Sequence, residues 1–86
     1  MNIVTEIPEY DGDSLDVLWD EGGEYELFIE DECIVLSANK IAMISLAKQL
    51  LYFANNSLPN GSHIHFNSFF CKDIKGTYEL IIEERR

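Results

Sequence analysis

The stretch NKIAMISLAKQLLYFANNSLPNGSHIHF, residues 39–66, decides how this chain folds, because a helix pattern, a corner and a strand follow one another within it. At about 100° per residue, its strongly apolar positions Met43, Leu46, Ala47, Leu50, Leu51, Phe53 and Ala54 cover an arc of roughly 200°. Ser45, Lys48, Gln49, Asn55 and Asn56 define a narrower polar stripe. Ser37 or Asn39 can cap the helix. Asn55-Asn56 and Pro59 end it, and Asn60-Gly61 turns the chain into the strand SHIHFN. An arc of about 100° is enough for a helix lying on one sheet. The surplus apolar surface is therefore wrapped by strand ends and loops, or covered by a partner or by a second copy in a homodimer.

Before this stretch, MNIVTEI reads as a short strand ended by Pro8. DSLDVLWD alternates, with Leu15, Val17 and Trp19 on one side and acidic residues on the other. Gly22-Gly23 makes a turn, and EYELFIE with ECIVLSA reads as a hairpin. A turn at Glu30-Asp31 pairs Leu27 with Ile34 and Tyr25 with Leu36. It places Phe28 opposite Cys33 and Glu26 opposite Val35 on the other face. Beyond the corner, NSFFCKDIKG is a loop with Phe69 and Phe70 as apolar anchors, and TYELIIEE is the last strand. Half-apolar strands around one long helix predict an α+β fold, an antiparallel sheet of about five strands with the helix packed on one face. The element order is strands, helix, two strands, and residues 1–86 form a single domain.

A chain of 86 residues has room for one core, which buries roughly 60–65% of the unfolded surface. Its apolar content of 47% belongs to a folded protein. Sixteen acidic residues against six basic ones give a formal charge of −10. DNA, RNA and anionic membranes are unsuited to such a surface, because phosphate contacts need clustered Lys and Arg. A basic partner is suited to it and would be steered toward it, although an acidic surface also simply keeps a small protein soluble. No run approaches the ~18 apolar residues of a membrane span. The N-terminal MNIVTEIPEYDGD lacks the basic start and apolar core of a signal peptide. Cys33 and Cys71 have no close spacing and read as reduced thiols, so a cytoplasmic location is expected.

His63 and His65, the only histidines, sit two apart in the strand. Ile64 and Phe66 point to the helix with Tyr78, Leu80 and Ile82, so the histidines share the opposite face with Glu79, Ile81 and Glu83. Pairing Phe66 with Tyr78 sets His65 opposite Glu79 and His63 opposite Ile81. A carboxylate beside an imidazole favours its charged form. A zinc site needs three or four ligands, and Glu79, Cys71 and Asp73 supply none at a characteristic spacing. No nucleophile–histidine arrangement and no Gly-rich phosphate loop is present. The pair reads as two rings on a solvated strand face or as part of a contact surface, rather than as a catalytic centre.

The stretch ISLAKQLLYFANNSLPNGSHIHFN, residues 44–67, followed after a loop by GTYELIIEERR, residues 76–86, resembles the Immunity protein 32 family of bacterial polymorphic toxin systems. The shared pattern is a leucine-rich helix, a Pro-x-Gly-x-His-x-His turn and a closing Glu-Leu-Ile-Ile-Glu strand. Leu46, Leu50, Leu51, Ala54, Pro59, Gly61, His63, His65, Gly76, Glu79, Leu80, Ile81, Ile82 and Glu83 carry it here. The N-terminal half does not follow the pattern and reads as this member's own recognition region. The resemblance implies a small cytosolic protein that binds and neutralises a cognate toxin, with no catalysis and no cofactor.

Together these readings predict a contact surface for a toxin, to which a basic toxin surface is suited. Asp16, Asp20, Glu24, Glu26, Glu30 and Asp31 are its expected acidic residues, with Glu79 and Glu83. Phe28 and Val35 supply apolar contact, and His63 and His65 complete it. No residue is expected to be catalytic or to ligate a metal. Two rival readings are a metal-binding module built on the histidine pair and an acidic nucleic-acid mimic that inhibits a nuclease.

Overall fold

Asn39 decides where the helix starts. Its side-chain oxygen accepts from the N–H of Ala42 (2.9 Å) and of Glu24 (3.1 Å), and its amide donates to the Gly22 carbonyl (3.0 Å). One side chain thus caps the helix and pins it to the preceding turn. The computed structural model describes residue 2, residues 4–66, 74–75 and 79–85. Its elements are β1 (Tyr25–Glu30), β2 (Cys33–Ala38), α1 (Lys40–Asn55), β3 (His63–Phe66), β4 (Ile74–Lys75) and β5 (Leu80–Glu83).

The fold is α+β, but the strands form two small sheets rather than a single antiparallel one. One sheet has the order β2-β1-β4 and the other pairs β3 with β5. The β1–β2 and β3–β5 pairs are antiparallel, whereas β4 runs parallel to β1. Among the described residues MNIVTEI contains no strand, and Val4 is fully open to solvent; Met1 and Ile3 lie outside the described residues. The expected anchors Phe69 and Phe70, the strand residue Tyr78, and Cys71, Asp73 and Gly76 also lie outside them.

Both antiparallel registers differ from expectation by two residues. The β1–β2 turn is at Asp31-Glu32, so Leu27 pairs with Leu36, Tyr25 with Ala38 and Phe28 with Val35. Both turn residues have positive φ, 49° and 64°, as a two-residue hairpin turn of type I′ requires. In the second sheet Phe66 pairs with Leu80, His65 with Ile81 and His63 with Glu83. A slip of two leaves every side chain on its own face. The predicted faces therefore hold while the cross-strand partners change.

The larger correction concerns α1. Its inward face is Ala42, Ser45, Leu46, Gln49, Tyr52 and Phe53. Ser45 and Gln49, expected on the solvated stripe, are fully buried. Of the wide apolar arc, Leu46 and Phe53 are buried, whereas Met43, Ala47, Leu50, Leu51 and Ala54 are exposed, so the described strand ends and loops do not wrap the surplus. The reason lies in DSLDVLWD, which joins no sheet. Its backbone is bonded by helix side chains instead. The Asp16 N–H donates to the Tyr52 hydroxyl (3.3 Å), the Leu18 N–H to Gln49 Oε1 (2.8 Å) and the Asp20 N–H to Ser45 Oγ (3.0 Å). Gln49 Nε2 returns a bond to the Asp16 carbonyl (3.1 Å). Buried backbone groups must find partners, and here the polar stripe of the helix does the work of a neighbouring strand. Asn56 closes the far end, accepting from the Tyr10 N–H (2.7 Å) and donating to the Pro8 carbonyl (3.3 Å).

The core gathers Tyr25, Ala42, Tyr52, Phe53, Leu58, Ile64 and Phe66, with Leu15, Leu18 and Trp19 packed against it from the N-terminal segment. Full burial of a large apolar side chain stabilises by roughly 1.5–3 kcal/mol. The Tyr25 hydroxyl donates to the Phe66 carbonyl (3.1 Å) and ties the two sheets together. Trp19 meets Tyr25 edge-on at 5.5 Å and Phe66 at 5.7 Å. Gly23 lets the indole approach, because a Cβ there would lie 3.1 Å from its ring.

Candidate partner-binding surface

The twelve expected contact residues fall into three groups. Asp16 and Asp20 lie on the N-terminal segment along α1. Asp16 is half-buried there, and Asp20 is held by Lys48 Nζ at 2.8 Å. Glu24, Glu26, Phe28, Glu30, Asp31 and Val35 belong to the hairpin. Alternation puts Glu26, Phe28 and Glu30 of β1 on the same face as Ser37, Val35 and Cys33 of β2. Glu26 and Glu30 are exposed, while Phe28 and Val35 are half-buried and directly opposed. This face is part acidic and part apolar. Glu24, Glu26, Ser37 and Asn39 also line an open depression where β1 begins and β2 ends.

The third group is the outer face of the β3–β5 pair. The His65 Nδ1–H donates to Glu79 Oε1 at 2.9 Å across a diagonal of the ladder, since the residue directly opposite is Ile81. His63 stands opposite Glu83, and its Nδ1–H donates to the Gly61 carbonyl at 3.0 Å. The two rings lie 5.0 Å apart. With both Nδ1 protons committed, each neutral ring presents Nε2 as an acceptor. Among the described residues no group of three or more His, Cys, Asp and Glu side chains could hold a metal ion. Cys71 and Asp73, two of the third ligands considered, lie outside them.

One carboxylate has a shifted affinity for protons. Asp11 accepts from the N–H groups of Asp13 (2.8 Å) and Ser14 (3.1 Å), which holds its pKa below the usual value. The group is fully exposed and shapes the turn at Gly12 rather than the contact surface.

Two apolar patches lie outside the twelve expected residues. The hairpin tip exposes Ile29 and Ile34, which pair across it, and they border a groove lined also by Leu27, Phe28 and Glu79. The outer side of α1 exposes Met43 (50%), Leu50 (56%) and Leu51 (45%), with Ile44 beside them. The only sequence signal for the second patch was an apolar arc wider than one sheet can cover.

Residues 34–84 match the family described as Immunity protein 32. The match is more than half of the chain and runs from β2 through α1 to the end of β5. The chain belongs to the Immunity protein 32 family. Comparison with curated proteins and with solved structures gives no match. Of the expected contact residues, Val35, His63, His65, Glu79 and Glu83 fall inside the stretch matched to Immunity protein 32. Asp16, Asp20, Glu24, Glu26, Phe28, Glu30 and Asp31 precede it. No helix among the described residues is long and apolar enough to cross a membrane.

Proposed function

We propose that this Immunity protein 32 member is a non-enzymatic inhibitor that binds a cognate bacterial toxin in fixed stoichiometry and blocks its active site or substrate groove. Family membership over residues 34–84 carries the proposal. The acidic surface is the side turned to a basic surface of the toxin. The hairpin is the best-suited element, because its outer face combines exposed Glu26 and Glu30 with Phe28 and Val35. A mixed acidic and apolar patch matches a partner that is both basic and apolar. Glu24 and Asp31 extend this patch along the hairpin, while His63, His65, Glu79 and Glu83 offer a second, smaller one. Asp16 and Asp20 contribute least, since the first is half-buried and the second is already paired with Lys48. Such a protein acts in the cytoplasm of the cell that makes the toxin.

Long-range attraction acts mainly on association rates, and salt screens it. Reversing Glu24 and Glu26 to lysine should slow association with the toxin by roughly tenfold or more at low salt, with a smaller effect at high salt. Stopped-flow mixing or surface-based kinetics reads this directly. Association rates unchanged by the double reversal would sink the electrostatic part of the proposal.

A further inference from the structure

The outward face of α1 remains unexplained by toxin binding. At 100° per residue, Leu50, Met43, Ala54, Ala47, Leu51 and Ile44 lie around an arc of about 120° on the side away from the core. Lys40 is the only polar residue within it. A contiguous apolar strip of this kind on a small protein marks a contact surface.

Charge identifies what covers it. Residues 1–33 contain no lysine or arginine, whereas residues 34–66 contain no aspartate or glutamate. The strip lies wholly within the acid-free stretch. A basic toxin is drawn to the acidic face, not to this one. Two copies at −10 each repel wherever carboxylates meet, and α1, which carries the strip, contributes none.

We infer that the occupant is a second copy of this chain, packed through an antiparallel, two-fold α1–α1 contact. Met43, Ala47, Leu50 and Ala54 are spaced four, three and four apart, as along a coiled-coil seam. Large and small residues alternate along it. Antiparallel pairing with Ala47 opposite the partner's Leu50 puts Met43 opposite the partner's Ala54. Every large side chain then faces an alanine, the interdigitation that dense packing favours. Parallel pairing would stack alanine on alanine and leave voids. Ile44 and Leu51 flank the seam on one side. The same register brings Lys40 opposite the partner's Ser57, just past the C-terminal end of the partner helix, whose last turn has no basic residue of its own and where an ammonium group is favoured by the helix dipole. The inference is independent of toxin binding.

Sedimentation velocity or light scattering on the untagged protein tests it. The mass expected at micromolar concentration is twice 9.9 kDa. Added salt should strengthen the dimer, because it screens the repulsion between acidic copies, whereas it should weaken toxin binding. Ala47→Glu puts an unpaired carboxylate in the seam and should weaken self-association by at least about 100-fold. Because Ala47 is exposed within one copy, the variant should keep the circular dichroism and melting of a folded monomer. Ile34→Glu, in the other apolar patch, should remain dimeric. A monomeric wild type overturns the inference, as does a dimer that Ile34→Glu breaks and Ala47→Glu does not. Loss of toxin binding in Ala47→Glu from an already monomeric wild type would give the face to the toxin.

Discussion

Gln49 is the residue whose role differs most between sequence and structure. As an amide on a helix otherwise rich in leucine, it reads as part of the solvated stripe. In the fold it is fully buried and spans the Leu18 N–H and the Asp16 carbonyl. Periodicity alone does not separate a polar stripe facing water from one facing unpaired backbone, because both have the same spacing. The physical difference is that DSLDVLWD needs hydrogen-bond partners and has no strand beside it. Replacing Gln49 with leucine keeps the volume but strips both partners. Each buried group left unpaired costs about 1–3 kcal/mol, so Gln49→Leu should lower the urea midpoint sharply. An unchanged midpoint would mean that the N-terminal segment is not held as described. Asp31 and Glu32 show a similar limit at the hairpin turn. Both take positive φ without the glycine that usually announces it, and the turn was therefore placed one residue too early.

At the scale of elements, alternation made the faces legible but not the registers. Tyr25 and Leu27 of β1, Ile64 and Phe66 of β3, and Leu80 and Ile82 of β5 pack on the core as the pattern demands. The pairings moved by two because nothing in the strands themselves distinguishes positions two apart. The His65–Glu79 contact survives that shift as a diagonal pair. The helix and its Asn39 cap were also readable, while its inward face is turned toward Ser45 and Gln49, keeping Leu46 and Phe53 of the apolar arc inside and leaving the rest of that arc exposed. The N-terminal segment is the least legible element: it has the pattern of a strand and pairs with a helix. Its protection should show that origin. In native-state hydrogen exchange the amides of Asp16, Leu18 and Asp20 should exchange more slowly than those of Val17 and Trp19, in a strand-like alternation produced by side chains. Uniformly fast exchange across residues 14–20 would remove the segment from the cooperative fold.

For the whole molecule, the organising feature is the separation of charge along the chain. The acidic N-terminal third supplies most of the expected toxin contacts, and the acid-free stretch that follows supplies the helix and its bare apolar strip. The family match begins at residue 34, so most of the acidic residues proposed to recognise the toxin precede the stretch shared with the family, while Val35, His63, His65, Glu79 and Glu83 lie within it. Composition made the net charge legible, but the division into two surfaces became visible only once α1 was seen from outside. The central claim is that this protein neutralises a toxin by binding it. The most direct measurement co-expresses it with the toxin encoded beside it, scores growth, and isolates the complex through a tag on the toxin. The account predicts restored growth together with co-purification in fixed stoichiometry. Restored growth with no complex, or a complex that leaves the cells dying, would contradict it.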